Sequence, residues 1–136
     1  MTKLTIIGAG SAVFTKNIVA DLLSLDSFKN IEIALQDLDP KRLKASHDLL
    51  TVISQKLNAN PKITSHTNRR ESLAGSDFVQ TTIQVGGYKP STVIDFEIPK
   101  KFGLQQTIGD TLGIGGIMRG LRTIPVLLDI AKDIME

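Results

Sequence analysis

The stretch Lys3–Phe14, K-L-T-I-I-G-A-G-S-A-V-F, decides how the rest of the chain is read. Leu4, Thr5, Ile6 and Ile7 make a short, largely β-branched run without charge, the pattern of a buried parallel strand. Gly8-Ala9-Gly10-Ser11 follows at once, and Phe14, Ile18, Leu22 and Leu25 then recur on one face of a helix. Strand, glycine turn and helix in that order make an anion site. Gly8 permits the tight turn, Gly10 lets the backbone approach a pyrophosphate, and the helix N-terminus points free N–H groups at it. The third glycine position of the dinucleotide fingerprint holds Val13, which predicts a helix standing further off its strand. Strand-to-helix turns also use glycine for steric reasons alone. The position directly after an apolar strand at the extreme N-terminus favours a dinucleotide over a bare turn.

With 136 residues the chain is long enough for one domain with a real core. Sixteen Lys and Arg against 14 Asp and Glu nearly cancel, and no basic run exceeds a pair, so a nucleic-acid partner is not expected. Cysteine is absent, which excludes disulfides and thiolate metal sites within this chain. The N-terminal apolar run is too short for a signal peptide, and no stretch is long enough to span a bilayer. The expectation is a soluble cytoplasmic protein without a membrane partner.

Ile31–Asp37 reads as a second strand, and Asp37 lies 27 residues past Gly10. A dinucleotide fold places an acid near there because one carboxylate accepts from two ribose hydroxyls, and the same acid repels a 2′-phosphate, favouring NAD over NADP. The alternative is that Asp37 and Asp39 simply open the next helix, whose Asp39-Pro40 is a good cap; the reading divides the labour, Asp39 capping and Asp37 facing the ribose.

That helix carries Leu43, His47, Leu50, Ile53 and Leu57 and stops at Asn58–Pro61. Lys62–Thr67 alternates like an edge strand, and Arg69–Gly75 reads as a turn or two of helix. Phe78–Val85 is the next buried strand, ending in Gly86-Gly87-Tyr88, where either a ligand approaches the backbone or the chain simply loops. Ser91–Phe102 is helical in pattern, with Pro99 kinking or ending it. Gln105–Arg122 carries five glycines with Asp110, Thr111, Arg119 and Arg122, the composition of a substrate or cofactor loop or of a linker. A last amphipathic helix places Ile117, Leu121, Ile124, Leu128, Ala131 and Met135 on one face, with Pro125 a kink.

Together these segments resemble the N-terminal part of the NAD-dependent glycosidases of glycoside hydrolase family 4, closest to the α-galactosidase branch. The segments that carry the resemblance are I-I-G-A-G-S-A-V-F, A-L-Q-D-L-D-P-K-R-L, Q-V-G-G-Y and, most specific, F-G-L-Q-Q-T-I-G-D-T-L-G-I-G-G-I-M-R-G-L-R-T-I-P. The resemblance implies an α/β fold, Rossmann-like and doubly wound, with a mainly parallel sheet. Residues 1–136 are then a dinucleotide-binding domain cut before its C-terminal strands and before the catalytic domain. In the usual 3-2-1-4 order the strands near Leu4, Ile31, Ile63 and Phe78 leave the last at an edge.

The resemblance further implies hydrolysis by redox, elimination and addition, without the paired carboxylates of ordinary glycosidases. NAD takes hydride from the sugar C3, a base removes the C2 proton, a divalent metal, usually Mn, steadies the enediolate, and the hydride returns after water adds. Gly8, Gly10, Ser11 and Phe14 match the cofactor loop, Asp37 the ribose acid, and Val85 and Gly86 the nicotinamide side. Gln84 matches the position where phospho-sugar branches carry arginine, so a non-phosphorylated α-galactoside is implied; Tyr88, Asp110 and Thr111 fall to the sugar side. The metal ligands and the catalytic tyrosine match positions beyond residue 136, so this chain is expected to hold no catalytic or metal residue and to be inactive alone. A homo-oligomer is expected. The rival readings are a fragment of a lactate/malate-type NAD-dependent hydroxyacid dehydrogenase and a non-catalytic nucleotide-binding fragment.

Overall fold

The computed structural model describes residues 1–106 and 113–136. They group into two compact units, Met1–Ile83 and Gln84–Glu136.

The first unit is a four-stranded sheet in the order β3-β2-β1-β4, every pairing parallel. Its elements are β1 (Lys3–Ile7), α1 (Ala12–Leu23), β2 (Glu32–Gln36), α2 (Pro40–Lys56), β3 (Lys62–His66), α3 (Arg69–Leu73) and β4 (Phe78–Thr81). Strand side chains alternate between the two faces. Leu4 and Ile6 of β1 join Ile33 and Leu35 of β2 in one core with Val19 and Leu23 of α1 and Leu43 and Leu50 of α2. Thr5, between Leu4 and Ile6, takes the other face, where its hydroxyl donates to Ser72 O of α3 at 2.8 Å. Helices therefore cover both faces, the doubly wound α/β arrangement expected. Ile6, Val19, Leu23, Ile33, Leu35 and Leu50 are fully buried, each contributing roughly 1.5–3 kcal/mol by leaving water.

Several local readings change. The α1 residues turned inward are Thr15, Val19 and Leu23, while Phe14 (62% exposed) faces out and Leu25 (52%) lies past the end of the helix. The helix is rotated by one residue because Thr15 Oγ1 donates to Ala9 O at 3.0 Å, which draws a polar position inward. Val13 is 65% exposed, so its side chain does not stand between helix and strand. The fourth strand stops at Thr81 rather than Val85, since its partner β1 ends at Ile7 and Gly8 then turns away with φ +82°. It is an edge strand of half-buried and exposed residues, not a buried one, and Phe78 is 62% exposed. The other edge, β3, carries Lys62 opposite Glu32, joined at 3.1 Å.

The second unit is helical: a π-helical turn (Lys89–Ile94) runs into α4 (Asp95–Lys100), and α5 spans Ile114–Met135. Pro99 is buried in the last turn of α4, which ends one residue later. The α5 helix starts three residues before Ile117, capped by the extended backbone of Gly113, and Gln106 Oε1 accepts from Gly115 N–H at 3.1 Å. The expected apolar face is exposed: Ile117, Leu121, Ile124, Leu128 and Met135 are each more than half accessible. Arg119 and Arg122 set this rotation by reaching Ser91 and Asp95 from the opposite side of the helix, the side on which Gly115 and Ile130 are buried.

Candidate functional site

The β1–α1 turn is held by its neighbours rather than by its own side chains. Gly8 and Ala9 N–H both donate to Gln36 O at 2.9 Å, and Ser11 N–H closes the turn on Gly8 O at 3.0 Å. Ala9 O receives two buried hydroxyls, Thr15 Oγ1 from α1 and Ser46 Oγ from α2 at 2.7 Å. A Cβ at Gly8 would meet Thr82 O at 2.5 Å besides straining a left-handed φ, so glycine is needed there on both counts.

Gly10 is needed for a different reason. Its φ is not positive, but a Cβ would meet Asp37 Oδ2 at 2.6 Å and Arg42 Cβ at 2.9 Å. Gly10 N–H donates to Asp37 Oδ2 at 2.7 Å, and Asp39 N–H to Asp37 Oδ1 at 2.9 Å. Each carboxylate oxygen thus holds one backbone donor and keeps lone-pair capacity for another. Asp39 caps α2 by accepting from Lys41 and Arg42 N–H at 2.8 and 3.3 Å, so the two acids divide the work as expected.

The first N–H groups of α1, those of Ala12, Val13 and Phe14, have no intrahelical acceptor, and the Ser11 side chain does not cap them. Open N–H groups at a helix N-terminus, with a half-buried carboxylate fixed beside the turn, fit the two ends of an adenosine diphosphate group. Leu38, next to Asp37, is 89% exposed. Gly8, Gly10, Ser11 and Asp37 are thereby brought together, with Phe14 exposed one turn along α1.

In the second unit Gln84 to Gly87 form a turn, Gly87 N–H donating to Gln84 O at 3.1 Å. Val85 O accepts from Ser91 Oγ at 3.3 Å. Gly86 has φ +86°, and a Cβ there would press on Pro90 at 3.2 Å and stand 3.6 Å from Arg122 Nε. Gln84, Gly86 and Tyr88 are exposed. Asp110 and Thr111 lie outside the described residues.

Arg119 and Arg122, read from sequence as polar groups of a ligand loop, are turned inward instead. Arg122 grips Asp95 with both terminal nitrogens, at 3.0 and 2.6 Å, and Arg119 Nη2 donates to Ser91 O at 2.6 Å. Asp95 is fully buried, and its bidentate grip raises the Arg122 guanidinium above its ordinary value. Sequence reasoning missed Asp95, which sits in an ordinary helical run 27 residues from its partner. It also missed Thr15 and Ser46, whose one signal is a hydroxyl standing at a core position of an apolar face. Among the described residues no group of three or more His, Cys, Asp or Glu can hold a metal ion, so no metal step is assigned to them.

The family model described as family 4 glycosyl hydrolase matches residues 3–136. The chain belongs to that family. An α-galactosidase of Bacillus subtilis (strain 168) is 54% identical over 136 residues, all of this chain and 32% of the relative. A solved structure, a 6-phospho-α-glucosidase from gut microorganisms in complex with NAD and glucose-6-phosphate, has a TM-score of 0.87 at 29% identity. The match covers 99% of this chain and 30% of that one. The 6-phospho-β-glucosidase of Thermotoga maritima, with manganese, NAD+ and glucose-6-phosphate, gives 0.84 at 25% identity over 98% of this chain and 32% of its own. The chain therefore spans about a third of the length of these relatives.

Proposed function

We propose that residues 1–136 are the dinucleotide-binding portion of a family 4 glycosidase that uses NAD to cleave α-galactosides. The observation that carries this reading is Asp37, held by Gly10 N–H at 2.7 Å with lone pairs to spare, beside the uncapped start of α1. Gly8, Gly10 and Ser11 seat the pyrophosphate on backbone N–H groups, Phe14 flanks it, and Asp37 accepts from the ribose hydroxyls. When bound, NAD+ supplies a hydride acceptor for the sugar. Val85 and Gly86 are assigned to the nicotinamide side, and Gln84, Tyr88, Asp110 and Thr111 to the sugar. An amide at Gln84 is neutral and exposed, which suits a hydroxyl better than a phosphate dianion. The α-galactosidase relative at 54% identity supports the same substrate. Turnover is assigned to a polypeptide longer than these residues, working in the cytoplasm with a divalent metal. Assembly with further copies belongs to the same reading.

Calorimetry tests the cofactor. Asp37→Ala should weaken NAD+ binding by about 1–3 kcal/mol, the range for polar partners left unpaired; unchanged affinity sinks the assignment. For the substrate, a longer protein with this N-terminal part should cleave an aryl α-galactoside and not its 6-phosphate. Preference for the 6-phosphate removes the argument from Gln84.

A further inference from the structure

The glycine turn carries a cation to which the NAD reading gives no task. Arg42, in the first turn of α2, donates from Nη2 to Gly10 O at 3.1 Å. The N–H of the same glycine goes to Asp37 Oδ2. One residue's two peptide groups thus fix a carboxylate on one side and a guanidinium on the other. Both side chains lie close against this glycine, where a Cβ would meet Asp37 Oδ2 at 2.6 Å and Arg42 Cβ at 2.9 Å. Arg42 is exposed, and among the described residues no carboxylate lies within ion-pair distance of it. Its guanidinium therefore has no ion-pair partner there, its position is set by one backbone bond, and N–H donors remain beyond the one that Gly10 O takes.

We infer that Arg42 is a latent clamp for a phosphate on the adenosine ribose, so that Asp37 alone decides between NAD+ and NADP+. The inference rests on the reading of Asp37 as the ribose acid. A 2′-phosphate brought to the native site meets a carboxylate of its own sign, and that repulsion outweighs what one exposed guanidinium returns. With residue 37 neutral, the repulsion is gone and the planar guanidinium presents paired donors to the phosphate oxygens. Dinucleotide folds that take NADP place an arginine near this position, so no backbone rebuilding is required. The cofactor choice is then a single-residue switch, with the second half of the NADP site already in place.

The test is calorimetry of the 136-residue chain with NAD+ and with NADP+, each variant first checked for native circular dichroism. Wild type should favour NAD+, and Asp37→Ser should raise the NADP+ to NAD+ affinity ratio roughly tenfold or more. In that background Arg42→Ala should abolish the gain, and so should Arg42→Gln, whose amide can still donate to Gly10 O without the charge. Lys41→Ala, which removes the neighbouring cation, should move the ratio by less than about threefold. A gain that survives loss of Arg42, or that Lys41→Ala erases equally, overturns the clamp. Arg42 variants that weaken both cofactors by one factor overturn it as well, since they mark a merely structural contact. If wild type binds NAD+ and only these Arg42 effects are missing, the clamp falls and the NAD reading stands. If wild type binds neither cofactor, both fall.

Discussion

Asp37 and Asp95 are each packed against a glycine with no room for a side chain, Gly10 and Gly115, and the structure uses the two carboxylates in opposite ways. Asp37 is half-buried and is held by two backbone N–H groups that carry no net charge. It is positioned but not neutralised, so its charge stays available to whatever occupies the turn. Asp95 is fully buried and is gripped at both oxygens by Arg122, with Arg119 Nε 3.9 Å away. Its charge is spent on α5. An acid fixed by amides can serve a ligand, whereas an acid fixed by guanidiniums serves the fold.

Breaking the second arrangement should cost most. Asp95→Ala leaves the partly exposed Arg122 guanidinium without its carboxylate and removes both bonds that tie α5 to α4, a loss larger than that of a single hydrogen bond. Hydrogen exchange followed by mass spectrometry should show α4 and α5 losing protection while β1 to β4 keep theirs. Equal loss in both units, or loss in neither, contradicts the division of labour drawn above. The first arrangement should break more gently under Gly10→Ala. The backbone there has no left-handed strain, so the penalty is overpacking against Asp37 and Arg42, about 1–3 kcal/mol in a denaturant melt. NAD+ affinity should fall with it, because the carboxylate must shift to make room. A fully stable Gly10→Ala protein with native affinity would show that Asp37 is not held where the structure puts it.

Much of the first arrangement can be read from the chain alone, and almost none of the second. The uncharged run at Leu4–Ile7, the glycines after it, and the Asp39-Pro40 cap are local signals, each complete within a few residues. They locate β1, the turn and the start of α2, and their spacing to Asp37 follows from one crossover helix. Thr15 and Ser46 were opaque because a buried hydroxyl is decided by its acceptor, here Ala9 O, and not by its own polarity. The rotation of α5 was opaque for a stronger reason. Its apolar stripe at Ile117, Leu121, Ile124 and Leu128 has the right period for an inward face, yet ion pairing to Asp95 turns the opposite side in. Periodicity reports which face is apolar, and only the three-dimensional partner reports which face is covered.

The smallest effect expected is the most discriminating within the Asp95 cluster. Two guanidiniums approach one carboxylate, and the distances say that they are unequal. Arg122 makes two short bonds to Asp95, whereas Arg119 reaches Asp95 only through Nε at 3.9 Å and makes its one short bond to Ser91 O. Both Nε atoms are buried without a hydrogen-bond partner, so neither gains there. Replacing Arg119 by Ala therefore removes one hydrogen bond to a backbone carbonyl and a long-range attraction, while Asp95 stays paired. The expected cost is about 1 kcal/mol, that of an ordinary hydrogen bond. A double-mutant cycle with Asp95→Ala makes the comparison sharp, since it reports coupling and not the truncation itself. Arg122 should couple strongly to Asp95 and Arg119 only weakly. If Arg119→Ala proves as damaging as Arg122→Ala, and couples to Asp95 as strongly, the carboxylate is shared between the two arginines, and the picture of one saturating partner gives way to a three-residue network.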